Sequence, residues 1–534
     1  MKDLFLGLDL GTSALKAGLF DGTGHLLALA RRSYPLYTPQ PGWAEQEPED
    51  WWTAVRAAVA ELLERAAVDR ARIAAVGLSG QAPGHVLVDA DGAPLGRAII
   101  WSDRRAAAEA KWLAERVTRE QALAWTAYPL LADSALPPAR LLWLKAHRLA
   151  DWARCVHVLQ PKDFIALRLT GRAVTDNRSA FTLVNLETGR YDPDYFAFLG
   201  IPLAKMPPAL EPHVVVGGIV AEAAMRTGLL AGTPVVCGTI DAWCDIIGCG
   251  GVAPGRAVDA AGTSEVVALI TDRPVEGEGV FASPLVGDLY FTGGPTQAGG
   301  DALHWLARGF YPEMDGESDF DRLEADASNV EPGAGGLIFL PYLSGERAPV
   351  WDDAARAAFV GLTVRHTRAH CARAVYEGVA FAVRHILTLS ERAAGLTVEE
   401  LRVSGGGSRS VFWNQVKADV TGKRVLQLAV PDAACLGAAM LAAVGVSARA
   451  NLDAASAAMV HVQGAVEPRA EYAARYDALF AMYCDLYPAL RMVFSRLSAF
   501  EMGRNTQHAP RTTQHVSRLN ESSHNQDGKA NVTS

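Results

Sequence analysis

The sequence predicts an α/β protein of two similar domains that face each other across a cleft. Three observations carry that prediction. Leu4–Asp21, LFLGLDLGTSALKAGLFD, reads as two apolar strands joined by the turn Gly11-Thr12-Ser13, with Lys16 inside the second strand and Asp9 at the mouth of the turn. Arg256–Asp272, RAVDAAGTSEVVALITD, repeats it: acidic Asp259, the turn Gly262-Thr263-Ser264, then a β-branched strand whose final Asp272 stands at the same offset from its turn as Asp21 does. Finally, 534 residues are too many for a single core, so two domains of ordinary size are expected.

Each turn offers backbone N–H groups and two hydroxyls, a cradle suited to phosphate. Asp9 alone would repel that phosphate; a cation such as Mg²⁺ between them resolves the conflict. Asp9 is therefore the candidate metal ligand, and Gly11, Thr12, Ser13, Lys16, Gly262 and Thr263 are the candidate phosphate binders. An ordinary hairpin remains the other reading of either turn taken alone.

Half of the chain is hydrophobic and a fifth charged, the balance of a globular protein. Its net charge of −9 argues against a nucleic-acid or anionic-membrane surface. Seven cysteines, an odd number without a C-x-x-C pair, read as small buried hydrophobes in a reducing compartment. With no signal-peptide pattern after Met1, the expected location is cytoplasmic. The most apolar helix-like run, Leu436–Val446, is too short to span a bilayer.

Along the chain, Trp43–Trp52, WAEQEPEDWW, opens a helix: Pro48, Glu49 and Asp50 fill its first turn, where proline loses no bond and acids meet the helix dipole. Val55, Val59, Leu62 and Leu63 give that helix a core face. Ile73–Ser79 is a buried strand followed by the loop Gly80-Gln81-Ala82-Pro83-Gly84, and open α/β sheets bind ligands at such loops. Pro83 can donate no hydrogen bond there, while Gln81 and His85 can donate or accept. Ile99–Arg105, IIWSDRR, ends another strand in a charged cluster. Ala135–His147 has helix-core spacing, and Pro161-Lys162-Asp163-Phe164 and Thr175-Asp176 follow.

Val235–Gly251, VVCGTIDAWCDIIGCGG, runs a hydrophobic strand into Asp241 with a small-residue helix behind it. An aspartate held there can take the proton of an alcohol attacking a γ-phosphoryl group. The same residue could instead cap the helix, and Asp245 is the next carboxylate in line. Thr292–Trp305 is glycine-dense, with Gly299 and Gly300 allowing close approach of a nucleotide. Phe339–Pro349, FLPYLSGERAP, reads as a stiff loop at the domain interface, and Ala369–Leu387 as a long helix. Leu401–Ser410 is a strand into Gly405-Gly406-Gly407 with a helix behind, a turn against which a purine and its α-phosphate can lie. Ala433–Ala443 is a small-residue helix suited to close packing, and the polar tail after Met502 is expected to be disordered.

Taken together these strings resemble the FGGY carbohydrate kinases, the sugar-kinase branch of the actin-like ATPase superfamily, xylulokinase-like members in particular. WAEQEPEDWW, WSDRR, PKDF, the glycine-led context of Asp241 and FLPYLSGERAP carry the resemblance, which covers about residues 3–490. It implies two actin-like (ribonuclease H-like) ATPase domains with the catalytic cleft between them: residues 1–246 with the sugar site, 247–490 with the nucleotide site, and 491–534 as a C-terminal segment with a polar tail. The resemblance further implies ATP and Mg²⁺ as cofactors and Asp241 as catalytic base, with Asp9 beside it. Gly300, Gly405, Gly406 and Ser410 would serve the nucleotide, and Gln81, Ala82, Pro83, Trp101, Asp103 and Asp241 the sugar.

The implied acceptor is a small-molecule sugar or polyol, first a ketopentose such as D-xylulose; a homodimer is compatible, and neither nucleic acid nor membrane is expected as a partner. Ala82-Pro83 departs from the usual Met-His of xylulokinases, Ala242 from the Asn that often follows the base, and Arg140 from the usual Lys. An actin-like ATP-binding module without sugar chemistry is the rival class, and it has no reason to carry the sugar-side strings.

Overall fold

The computed structural model describes residues 2–129, 131–311 and 320–507, with the side chains of 501–507 excepted. β1 (Leu4–Leu10) and β2 (Ala14–Asp21) form the first expected hairpin, with Asp9 opposite Lys16. β3 (Leu26–Ser33) adds antiparallel to β2, and α1 (Pro48–Ala66) lays Trp51, Val55, Val59 and Leu62 on β2 and β3. β4 (Ile73–Gly80) runs parallel to β1 and puts Ser79 beside Asp9. Every residue of β1 and β4 is buried, as continuous apolar strands covered on both faces should be. Next come α2 (Pro137–His147), α3 (Pro161–Thr170), β5 (Val215–Gly218), β6 (Pro234–Val236), β7 (Thr239–Ile240) and α4 (Asp241–Gly248). The sheet order is β5-β6-β4-β1-β2-β3, and β7 pairs with the end of β4 at Ser79 and Gly80.

The second half repeats that plan. β8 (Ala257–Ala261) and β9 (Glu265–Thr271) form the second hairpin, extended by β10 (Phe281–Val286) and β11 (Leu289–Pro295). α5 (Gly300–Phe310), α6 (Arg368–Ala394), β12 (Glu400–Ser404), α7 (Val411–Thr421), β13 (Arg424–Leu428), α8 (Ala433–Gly445), β14 (Val462–Val466) and α9 (Ala473–Gln507) complete it. Its sheet order is β10-β11-β9-β8-β12-β13-β14. β12 lies parallel to β8 as β4 does to β1, and each sheet closes on an antiparallel outer strand, β14 or β5. The duplication seen in two short hairpins therefore extends across both sheets.

α8 follows β13 in sequence, yet it packs on β1, β4 and α4 of the first half. A Cβ at Gly77 would sit 1.8 Å from the Ala438 carbonyl oxygen, so only glycine permits that approach. α4 and α8 cross as closely: a Cβ at Gly437 would sit 2.0 Å from the Cys244 carbonyl oxygen. This small-residue crossing joins the two halves. α9 runs from Ala473 to Gln507 with Pro488 inside it, and so spans position 490. The polar tail expected to be disordered lies, beyond residue 507, outside the described residues. All seven cysteines are free, and no helix among the described residues is long and apolar enough to cross a membrane.

Candidate active site

Both turns close on themselves: the Gly11 amide donates to the Ala14 carbonyl at 3.2 Å and the Gly262 amide to the Ser264 carbonyl at 3.0 Å. The amides of Thr12, Ser13 and Thr263 donate to nothing among the described residues, which leaves them available to an anion. Asp9 is buried and accepts the Ser79 hydroxyl at 2.8 Å; burial lifts its pKa against the pull of Lys16. Lys16 reaches across to the start of α8, its Nζ 3.0 Å from Asp432 Oδ1. Burial opposes its charge, but Asp9 and Asp432 outweigh burial and raise its pKa.

Asp241 is the first residue of α4 and is half-buried beside this cluster. Its Oδ1 accepts the next amide, Ala242 N, in the first turn of the helix at 2.8 Å, and its Oδ2 has no hydrogen-bond partner among the described residues. Burial first, then the Asp9 carboxylate, push its pKa up to about 7. Asp245, one turn on, is pushed up to about 8 by burial and then Asp9. Tyr34 donates its hydroxyl to the Gly11 carbonyl, and burial together with Asp9 and Asp241 raises its pKa.

The loop after β4, expected to hold the acceptor, is bonded to the first turn. Gln81 Nε2 donates to Gln46 Oε1 at 2.7 Å and to the Gly11 carbonyl at 3.3 Å, while Gln46 Nε2 donates to the Thr12 carbonyl at 2.7 Å. Trp101 is half-buried, with its indole directed at Thr12. Ala82 is half-exposed and Pro83 buried, its carbonyl taken by Arg140 at 2.9 Å. Arg140, fully buried on α2, also donates to the carbonyls of Trp101 at 2.6 Å and Asp103 at 2.9 Å. Burial, despite nearby Asp103, lowers its pKa to about 9. His85 lies behind the loop, buried without a partner on either ring nitrogen among the described residues, and burial pushes its pKa well down.

Asp103 is fully buried, taking the Ala44 amide at 2.6 Å and Arg105 through its amide, Nε and Nη2 at 2.8–3.0 Å. These bonds tie the loop together. Ser410 caps α7, its hydroxyl accepting the Trp413 amide at 2.9 Å, which leaves its O–H to donate.

Gly300 meets the second turn itself, its amide donating to the Gly262 carbonyl at 3.0 Å. Gly405 has φ +78°, with the Ala261 carbonyl oxygen 2.3 Å from any Cβ, while a Cβ on Gly406 would meet open space. Beneath that turn Lys417 Nζ lies 2.6 Å from Asp259 and 3.0 Å from Glu265, all three buried. Gln46, Tyr34, Ser79 and Arg140 were not foreseen as site residues. Gln46 carried a signal in its place in WAEQEPEDWW, and Arg140 in standing where Lys is usual.

Two duplicated α/β halves, a phosphate-type turn in each and a raised-pKa carboxylate at their junction define an actin-like phosphotransferase. The chain belongs to the FGGY family of carbohydrate kinases: the family's N-terminal domain matches residues 4–248 and its C-terminal domain residues 258–446. It is a carbohydrate kinase. The chain is 32% identical over 500 residues to the xylulose kinase of Bacillus subtilis, covering 93% of this chain and 99% of that one. With the L-xylulose/3-keto-L-gulonate kinase of Escherichia coli it shares 33% over 516 residues, 93% and 99% covered. The crystal structure of xylulose kinase from Rhodospirillum rubrum superposes with a TM-score of 0.81 at 33% identity, covering 92% of this chain and 99% of that one.

Proposed function

We propose that this kinase phosphorylates a ketopentose such as D-xylulose in the cytoplasm, with Asp241 as general base. The observation that carries the reading is Asp241 itself, on the first turn of α4 with one carboxylate oxygen unpartnered among the described residues and its pKa pushed up to about 7 by burial and Asp9. The acceptor oxygen attacks the γ-phosphorus of ATP while its proton passes to the free Oδ2 of Asp241. The β–γ bridging bond breaks, and ADP leaves.

The unused amides of Thr12, Ser13 and Thr263 hold the phosphate chain, and the open face of Gly406 takes the adenosine side. Lys16, fixed by Asp432, keeps positive charge beside Asp9. Magnesium takes one or two carboxylates plus phosphate oxygens and water, and Asp9, one oxygen occupied by Ser79, fits as its protein ligand. When bound, Mg²⁺ neutralises charge on the β- and γ-oxygens.

The relatives' names, xylulose and L-xylulose/3-keto-L-gulonate kinase, support a ketose acceptor. Ala82-Pro83, which supplies no side-chain donor, favours a second reading in which another sugar or a polyol is taken. A panel of pentuloses and polyols in an ADP-release assay tests both. Release that depends on D-xylulose is expected; release that ignores every acceptor would remove the sugar-kinase reading.

A further inference from the structure

The P-K-D-F and T-D strings have no part in the chemistry above, yet they form a fully buried charge cluster in the N-terminal half. Lys162, at the start of α3, is 1% exposed. Its Nζ lies 2.6 Å from Asp163 Oδ1 and 2.8 Å from Asp176 Oδ1, and it donates to the Cys237 carbonyl at 3.3 Å. The other oxygens are engaged as well. Asp163 Oδ2 takes the Gln160 amide at 3.0 Å. Asp176 Oδ2 takes the Thr239 hydroxyl at 2.8 Å and the amides of Arg178 and Ser179 at 3.1 and 3.0 Å.

Burying one cation with two carboxylates is a poor way to gain stability, since desolvation offsets most of the attraction. What the cluster does secure is position. Thr239 belongs to β7, two residues before Asp241, and β7 pairs with β4 at Ser79 and Gly80. The same helix start touches both ends of the acceptor loop: a Cβ on Gly80 would sit 2.9 Å from Lys162 Cβ, and Gln160 Oε1 accepts the Gly84 amide at 2.7 Å. One buried ammonium thus stands between the strand that delivers Asp241 and the loop expected to hold the acceptor.

We propose that Lys162 is a positioning residue that, through Asp176 and Thr239, fixes Asp241 in register with the acceptor loop. The inference rests on Asp241 being the base. Registry of this kind acts on the chemical step, because a displacement of about 1 Å between reacting groups can lower the rate by roughly 10²-fold.

Lys162→Met leaves two buried acids unpaired and is prone to misfolding, so Thr239→Val is the decisive variant. It keeps the side-chain shape, spares the Lys162 cluster and cuts only the link to the strand. Turnover is expected to fall by about 10- to 100-fold with KM for ATP unchanged, and Thr239→Ser to restore it. A second readout is independent of turnover: the titration midpoint of the Asp241 carboxyl, followed by NMR in protein labelled at aspartate with Asp241→Asn for assignment. It is expected to move in Thr239→Val and to return in Thr239→Ser. Wild-type turnover and midpoint in Thr239→Val would overturn the proposal, leaving the cluster a packing element. Should the wild-type enzyme show no acceptor-dependent ADP release, the kinase reading of Asp241 falls, and the midpoint comparison still decides whether the linkage positions that carboxylate.

Discussion

The Trp101 indole N–H donates to the Thr12 hydroxyl at 2.8 Å. A residue of the loop proposed to face the acceptor and a residue of the first glycine turn therefore share one hydrogen bond, and the two turns are not equivalent in what they touch.

That asymmetry separates two otherwise parallel substitutions. Thr263→Val removes a hydroxyl from the second turn and should raise KM for ATP alone. Thr12→Val also strips Trp101 of its acceptor, so it should raise KM for ATP and for the sugar together. Steady-state kinetics varying each substrate in turn checks the contrast; identical profiles for the two variants would contradict it.

Asp241→Asn keeps the size of the side chain and its bond to the Ala242 amide but cannot accept the acceptor's proton. Turnover should fall by roughly 10²–10⁴-fold with nucleotide affinity near wild type. Near-normal turnover would move the base to Asp245.

The same substitution has a signature in stability. Burial and Asp9 raise the Asp241 pKa from an ordinary 3.8 to about 7, so the folded protein binds a proton there that the unfolded chain releases. Its favourable contribution is complete at low pH and is lost as pH rises through about 7. Asp241→Asn should accordingly melt higher than wild type at pH 8, with the gain shrinking to nothing near pH 4. Scanning calorimetry of the nucleotide-free protein across that range measures it.

Arg140→Met leaves the buried carbonyls of Pro83, Trp101 and Asp103 without their donor. Each unpaired buried acceptor costs about 1–3 kcal/mol, so a clear drop in Tm is expected. Because all three carbonyls belong to acceptor-side loops, KM for the sugar should rise while KM for ATP stays. Equal changes in both would mean that Arg140 supports the fold at large.

Ala82→Met combined with Pro83→His returns an imidazole to a loop that has none facing the acceptor. Sites that hydrogen-bond a substrate hydroxyl discriminate by orders of magnitude, whereas apolar walls discriminate weakly. The double variant should raise kcat/KM for D-xylulose relative to other acceptors. If preference for D-xylulose drops instead, specificity resides around Trp101.

The hairpins, their duplication and the strand leading to Asp241 were legible because each is a local pattern: apolar runs, a glycine turn, a small-residue helix. What was not legible is long-range. Asp103 stands at a strand end, but its partner amide belongs to Ala44, 59 positions away, and no spacing rule conveys that. Ser410 stands beside three glycines, and nothing local shows that its hydroxyl also caps the helix that follows. Gln46 precedes the helix that Pro48 opens, and nothing local reveals that it bonds the Thr12 carbonyl. α8 was recognised as a close-packing helix, but the surface it packs on belongs to the other half of the chain.

The seam between α4 and α8 has a mechanical consequence. Backbone meets backbone at Gly437 of α8 against Cys244 of α4, and again beside the seam where Gly77 of β4 meets Ala438 of α8. The two halves therefore meet through main chain, whose shape no rotamer change can alter, and a methyl group at Gly77 would have to displace α8 itself.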